Sequence, residues 1–567
     1  MLHDSVLGLE RALSRSDTDG GPLDPARMAE LDRLEAFPDE ACAVLDAAGL
    51  GAHYVDARHG GRLHDHVELV QLLRTVARRD LTVAVAHGKT FLGSAPVWIA
   101  GSAEQAARLA TAVRRGAVVS WALTERDHGS DLLAGELTAR RENGQWRLDG
   151  EKWLINNASR GHLLCVLART GDEGGPRGFS LFLVDKSQLE PGSYRHLPKV
   201  RTHGIRGADI SGIAFDGARV PHAALVGDVG TGVEIVLKAL QLTRTVSTAL
   251  SLGALDHGLR IAADYAVDRN LYGRRLAELP RVRRILGQAS AALVVAEAVT
   301  VVAARSIHAL TPEMAVISAV AKGLVPGLVQ DTLERLAELL GVRSFLSESY
   351  EDGAFAKLER DHRIVAIFDG STAVNRSLLV DHFPALARGL RRGRADLDGV
   401  AAAMPGGPVP AFDPARLRLL STGGCSPVQS LTGAVGRLGT AADQGLLPAD
   451  TLAMAWDLAA VTDGVHAAME SQERTPRDVP QSAFELAAQY ELCFAGAALV
   501  HLWLDGARTP HDALWLRAGL AVVLTGLGLH VDESRATAYD RLADRLLGSA
   551  GHEPPSLLAT DDRGAVL

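Results

Sequence analysis

Ala117-Val118-Val119-Ser120-Trp121-Ala122-Leu123 is the stretch where the period of the chain changes. Upstream of it, apolar residues recur at helical spacing over residues 38–49, 67–85 and 104–114. This run, and the alternating stretch at 136–141, suit strands instead. Asn143-Gly144 follows, the dipeptide best fitted to a two-residue hairpin turn because both positions tolerate positive φ. Further β-prone runs at 145–148, 153–156, 163–169, 179–185, 194–200 and 210–215 complete a β domain over residues 117–225. After Pro221 the helical period returns in long Ala- and Leu-rich stretches at 233–266, 279–310 and 312–340. Thr311 reads there as an N-cap, with Pro312 as the first helical residue. A segment rich in Pro and Gly, 403–414, reads as a linker; residues 415–549 are helical again and 551–567 look frayed. The expected fold class is α+β, with a helical domain at 1–116, the β domain at 117–225, a helical bundle at 226–402, the linker, and an additional helical domain at 415–567.

The 567 residues carry a formal net charge of −9 and are 47% hydrophobic and 22% charged, which marks a globular protein of several domains and argues against a nucleic-acid footprint. Four scattered cysteines, Cys42, Cys165, Cys425 and Cys493, lack C-x-x-C spacing, so neither a disulfide framework nor a metal site is expected, and a cytoplasmic location fits. No run of 18 consecutive apolar residues occurs, so no transmembrane segment is expected either. Walker, G-x-G-x-x-G and H-E-x-x-H fingerprints are missing.

Chemistry is suggested by Arg360-Asp361-His362-Arg363-Ile364-Val365-Ala366-Ile367-Phe368-Asp369-Gly370-Ser371-Thr372, where an apolar run ends at a carboxylate, a glycine and two hydroxyls. Glycine lets a ligand approach the backbone, so Asp369 sits where a general base could be mounted. Alone, the same string reads sooner as a loop carboxylate that caps a helix starting near Thr372.

Other strings tilt the balance. Trp121-Ala122-Leu123-Thr124-Glu125-Arg126-Asp127-His128-Gly129-Ser130-Asp131 resembles the T-E-P-x-x-G-S-D flavin motif of the acyl-CoA dehydrogenase family. Gly150-Glu151-Lys152-Trp153-Leu154-Ile155-Asn156 is similar to its G-x-K-x-W-I-T-N motif, with one residue of slack. Tyr265 to Gly273 resembles Y-A-x-x-R-x-x-F-G, Glu338 to Gly341 resembles Q-x-x-G, and Ile367 to Ser371 resembles I-Y-E-G-T. Gly204-Ile205-Arg206-Gly207 with 215–221 is similar to the segment closing the family's β domain.

The resemblance implies FAD as cofactor, contacted by Trp121, Leu123, Thr124, Gly129, Ser130, Trp153, Ile155, Arg269, Tyr272, Glu338, Gly341, Ser371 and Thr372. It implies α,β-desaturation of an acyl thioester carried by CoA or a carrier protein, with Asp369 as base and Ser130, Arg244 and Gly370 near the substrate. An electron acceptor, either electron-transfer flavoprotein or oxygen, must then reoxidise the flavin. Arg269 would reach the pyrophosphate of FAD in a neighbouring subunit, so a homo-oligomer, in the first place a homodimer, is expected. Three departures stand out: Asp369 replaces glutamate, Ile155 replaces a hydroxyl residue beside the flavin, and Glu338 replaces glutamine near its adenine half. They keep two alternatives open, a flavin monooxygenase or oxidase on the same scaffold and a catalytically lapsed flavin-binding interaction protein.

Overall fold

The computed structural model describes residues 3–171, 174–472, 478–506 and 513–558, so the tail from residue 559 onward lies outside the described residues. Two compact units emerge, Ser5–Thr243 and Arg244–Leu567 together with the first four residues.

The first unit begins with helices α1 (Asp4–Leu13), α2 (Pro25–Arg33), α3 (Asp39–Ala47), α4 (His66–Ala77), α5 (Leu81–Ala100) and α6 (Ala103–Arg114). Their starts are written in the side chains. Asp65 and Asp80 accept hydrogen bonds from Val67 N and Val83 N, and Ser102 with Gln105 forms a reciprocal capping box. The sheet that follows comprises β1 (Val119–Ala122), β2 (Thr138–Glu142), β3 (Gln145–Asn156), β4 (Leu163–Arg169), β5 (Phe179–Asp185), β6 (Tyr194–Leu197), β7 (Ile210–Pro221) and β8 (Leu225–Val226). Their order is β6-β7-β3-β2-β4-β5-β8, with β1 parallel to β4. Asn143 and Gly144, at φ +49° and +79°, make the β2–β3 turn.

The runs expected at 145–148 and 153–156 are one strand of 12 residues, irregular at two points. At Gly150 (φ +128°) a Cβ would stand 2.8 Å from Leu137 Cα, so the strand bends there on glycine. At Leu154 (φ +58°) the pairing with β7 slips between Trp153 and Ile155. One extra residue in a strand changes which face each later side chain occupies.

The second unit takes up α7 (Gly232–Asp268) from Arg244 onward, then the hairpin β9 (Asn270–Leu271) and β10 (Arg274–Arg275), α8 (Pro280–Ala309), α9 (Met314–Leu340), α10 (Ala354–His362), α11 (Thr372–Arg391) and α12 (Leu397–Ala402). Beyond these lie α13 (Ser426–Gln429), α14 (Leu431–Asp443), α15 (Ala449–Ser471), α16 (Gln481–Asp505), α17 (Ala513–Gly526) and α18 (Glu533–Gly548). Thr311 is not the N-cap of a long helix: it opens a separate 3-10 turn, Thr311–Glu313, and its hydroxyl donates back to Ile307 O at 2.8 Å. The hydroxyl is thereby used by the preceding helix.

The stretch expected as a linker is strapped to α8, where Arg305 donates to Met404 O (2.9 Å) and Gly407 O (2.6 Å). Near the start of α8, a Cβ on Gly287 would lie 1.9 Å from Tyr539 O, so only glycine lets α18 come this close. Buried Glu297 accepts hydrogen bonds from Ser556 Oγ (2.7 Å) and Leu557 N (2.8 Å). Residues 553–558 are therefore pinned, not frayed.

Although no run of 18 consecutive apolar residues occurs, three helices among the described residues are long and apolar enough, by length and composition, to cross a membrane: Pro280–Ala309, Thr311–Phe345 and Gln481–Asp505. Most of each lies inside the protein, and helices at the centre of a bundle are apolar all round for that reason.

Candidate functional site

A 3-10 turn, Arg363–Ala366, follows α10, and Asp369 and Gly370 come next with φ of +56° and +95°. A left-handed aspartate is uncommon, and such residues concentrate where geometry serves a ligand. Ser371 then caps α11, its hydroxyl accepting from Val374 N at 3.3 Å.

Three side chains from three helices brace this loop. Arg244 Nε donates to Asp369 O at 3.0 Å, and a Cβ on Gly370 would stand 2.9 Å from the Arg244 guanidinium, so glycine is required there. Asn375 Nδ2 donates to Gly370 O (3.0 Å) and Ser371 O (2.9 Å). Lys322 Nζ donates to Val365 O and lies 5.3 Å from the Phe368 ring centroid.

Arg244 is buried and no solvated helix charge: burial pulls its guanidinium down to about 10, while the Asp369 charge acts the other way. His362, held by Gln330 Oε1 (2.8 Å) and Ser251 Oγ (2.9 Å), stays neutral, since burial and the Lys322 charge push it down to about 3. Asp369 itself is half-buried.

On the sheet, Thr124 and β3 are tied together: Thr124 Oγ1 donates to Trp153 O (2.7 Å), and Trp153 N donates to Thr124 O (3.0 Å). Lys152 Nζ, buried, reaches Glu125 Oε1 at 2.7 Å and Leu123 O at 2.9 Å. Burial pushes the Glu125 carboxyl up, but Lys152 and the amides of Glu136 and Leu137 outweigh it and hold the group below its ordinary value. The Arg126 guanidinium lies over the Trp153 ring, 4.7 Å from its centroid, so one face of that ring is covered.

The Leu154 irregularity turns the side chain of Ile155, expected beside a flavin, into the sheet core. Ile155 is 2% exposed in the sheet core with Trp146, Phe182 and Phe215. Its neighbours take the other face: Leu154 is 44% exposed, and both amide atoms of Asn156 are buried with no hydrogen-bond partner among the described residues, as is Trp121 Nε1. Buried polar atoms are normally hydrogen-bonded, so an amide of this kind suits a ligand that offers both a donor and an acceptor, as a flavin's polar edge does. Ile155→Thr should therefore lower stability by about 1–3 kcal/mol through an unsatisfied core hydroxyl and leave the flavin spectrum unmoved. Denaturant melts and a visible spectrum of the variant check both halves; a shifted spectrum at parental stability would return Ile155 to the site.

Other expected residues are placed as follows. Leu123 and Thr124 are half-buried, Gly129 and Ser130 are exposed in the turn after β1, and Thr372 is the first residue of α11. Glu338 is exposed, so within this chain it carries no burial cost, and Gly341 (φ +60°) ends α9. Arg269 is exposed, and Tyr272, 91% exposed, sits at the tip of the β9–β10 hairpin. Sequence reasoning missed Asn156, Lys322 and Asn375. For Lys322 there was a signal, a lone charge inside Ser318-Ala319-Val320-Ala321-Lys322-Gly323-Leu324-Val325, because an interior cation must be satisfied locally.

Three family profiles match the chain: "Acyl-CoA dehydrogenase, N-terminal domain" over residues 23–117, "Acyl-CoA dehydrogenase, middle domain" over 120–218, and "Acyl-CoA dehydrogenase, C-terminal domain" over 230–383. The "Probable acyl-CoA dehydrogenase fadE25" of Mycobacterium leprae is 27% identical over 352 residues, which cover 62% of this chain and 89% of that one. A solved acyl-CoA dehydrogenase complexed with FAD from Bacillus anthracis superposes with a TM-score of 0.63 at 19% identity, covering 96% of this chain and 94% of that one. The prolyl acyl carrier protein oxidase AnaB gives 0.61 at 18% identity, covering 67% and 98%. These two likenesses show the fold, and the first of them runs through the C-terminal helices as well. With the three domains matched in order across well over half of its length, the chain belongs to the acyl-CoA dehydrogenase family.

Proposed function

We propose that this chain is an FAD-dependent dehydrogenase that introduces an α,β double bond into an acyl thioester, with Asp369 as the base. The observation that carries the reading is the left-handed Asp369, its carbonyl fixed by the buried Arg244. Bound FAD would supply the hydride-accepting chemistry, with electron-transfer flavoprotein or oxygen as the separate electron acceptor. Asn156 and Trp121, with Thr124 and Trp153, would hold FAD on the sheet unit.

The α-proton of a thioester is only weakly acidic, so the base must come within hydrogen-bond reach of it. Aspartate brings its carboxylate about 1.5 Å less far from the backbone than glutamate would. The positive φ at Asp369 and the braces from Arg244, Lys322 and Asn375 fix the direction in which that shorter side chain leaves the chain. The carrier of the acyl group is CoA or a carrier protein.

Mixing the FAD-loaded protein anaerobically with saturated acyl thioesters on each carrier tests the reading. Bleaching of the flavin with formation of the enoyl thioester is expected. A loaded protein that no thioester bleaches would overturn it, and admitting air after bleaching distinguishes an oxidase from an enzyme that needs a protein acceptor.

A further inference from the structure

We propose that Glu491 is a positioning residue for the Asp369 loop: the C-terminal helices deliver through it the countercharge that fixes Arg376 and the start of α11. The proposal rests on the functional reading above, because it concerns the same base. Glu491 lies on α16, far beyond residue 383, where the family's C-terminal domain match ends.

The Glu491 carboxylate is fully buried and meets Arg376 from α11 side-on. Arg376 Nη2 donates to Oε2 at 2.9 Å, and Arg376 Nε lies 3.1 Å from Oε2 and 3.2 Å from Oε1. The carboxylate also lies flat on α9, since a Cβ on Gly323 would stand 2.0 Å from Oε1. Only glycine leaves room for it.

Both neighbours of this wedge act on the base loop. Arg376 follows Asn375, which holds the carbonyls of Gly370 and Ser371, and Gly323 follows Lys322, which holds Val365 O. An added carboxylate thus locks the two helices that carry the loop's braces, and a displacement of about 1 Å at a reacting group can cost about 100-fold in rate.

The charged group acting on Glu491 is Arg376; Lys322 on α9 is engaged with the loop, while His466 on α15 and Cys425 beside α13 face the adjacent Tyr490. Burial pushes the Glu491 carboxyl up to about 7, with Arg376 opposing the rise. The clasp is therefore ionised above that pH and protonated below it. Arg376 pulls down a carboxyl that α16 keeps buried, so opening the clasp while α16 stays packed would raise that carboxyl further. The ionised form therefore favours the closed clasp, and loop order, with it proton abstraction, should strengthen as pH rises through this value.

Hydrogen exchange of the amides in residues 363–376, corrected for the intrinsic pH effect and measured on the full chain as purified, tests this without any substrate. The parent should show protection at pH 8 that weakens at least about tenfold at pH 6, and Glu491→Gln should exchange fast at both. Gly323→Ala, which drives a methyl into the carboxylate, should behave like the Gln variant. Equal protection of 363–376 in parent and Gln variant overturns the proposal, and so does a loss spread evenly over the chain. In flavin reduction by an acyl thioester, the Gln variant should lose the step near pH 7 and fall about 10- to 100-fold in kcat at pH 8 with KM unchanged. A parent that reduces no flavin contradicts the functional reading, whereas the exchange arm still decides the role of Glu491.

Discussion

Replacing Asp369 by asparagine lowers the rate of flavin reduction by about 10²–10⁴-fold, the usual cost of losing a general base, while FAD binding stays at the parental level. The structure explains why this variant is clean. Asparagine shares aspartate's tolerance of positive φ, so the +56° conformation survives, and Arg244 holds the main-chain carbonyl, which the substitution does not touch. Asp369→Glu is the complementary case. It moves the carboxylate outward by about 1.5 Å and places a residue less at ease with positive φ in the braced loop. If the loop is built for aspartate, the rate falls; a rate above the parent would mean that Asp369 is a worn remnant of the family's glutamate. Stopped-flow bleaching with one acyl thioester at a fixed pH reads all three proteins.

Lys152→Met carries the second large effect, on stability. Lys152 and Glu125 form a buried pair at 2.7 Å, and removing one partner of such a pair typically costs about 3–5 kcal/mol because the other charge is left uncompensated. Glu125 keeps the amides of Glu136 and Leu137, at 2.6 and 3.1 Å, which places the expected loss near the lower end of that range, about 3 kcal/mol.

The sign with pH follows from Glu125, whose folded pKa is held below its ordinary value. Its contribution is full above the ordinary carboxylate range and is lost as pH falls through the folded pKa. Lys152→Met should flatten that acid-side slope, and Lys152→Met with Glu125→Gln should recover part of the stability. Denaturant melts between pH 4 and pH 8 measure both. A variant as stable as the parent at pH 7 would show that the pair contributes nothing net.

Much of the fold was written in local pattern. The change from helical to alternating period at Ala117 and the Asn143-Gly144 turn depend on neighbours a few residues apart, and so do the caps at Asp65, Asp80 and Ser102. What escaped depends on distant partners or on a single residue of register. The bulge at Leu154 turned Ile155 inward and Asn156 outward, and nothing in Trp153-Leu154-Ile155-Asn156 announces an extra residue. Thr311 looked like a cap because its free hydroxyl precedes proline, yet the carbonyl of Ile307 takes that hydroxyl first.

The loop at Asp369 was legible as a candidate base, because a carboxylate before Gly-Ser-Thr is a local feature. Its braces were not, since Arg244 reaches it from 125 positions upstream. Glu491 finds Arg376 across 115 positions, and on a helix apolar on most sides no periodicity singles it out.

The central claim, that Asp369 removes the α-proton, is tested most directly by proton exchange at that carbon. An acyl thioester incubated with the FAD-loaded protein in D₂O, without an electron acceptor, should gain deuterium at Cα at a rate set by the enzyme. Mass spectrometry of the recovered thioester reads it. The account predicts exchange with the parent and a rate at least about 100-fold lower with Asp369→Asn under the same loading; exchange by the Asn variant at the parental rate would contradict it.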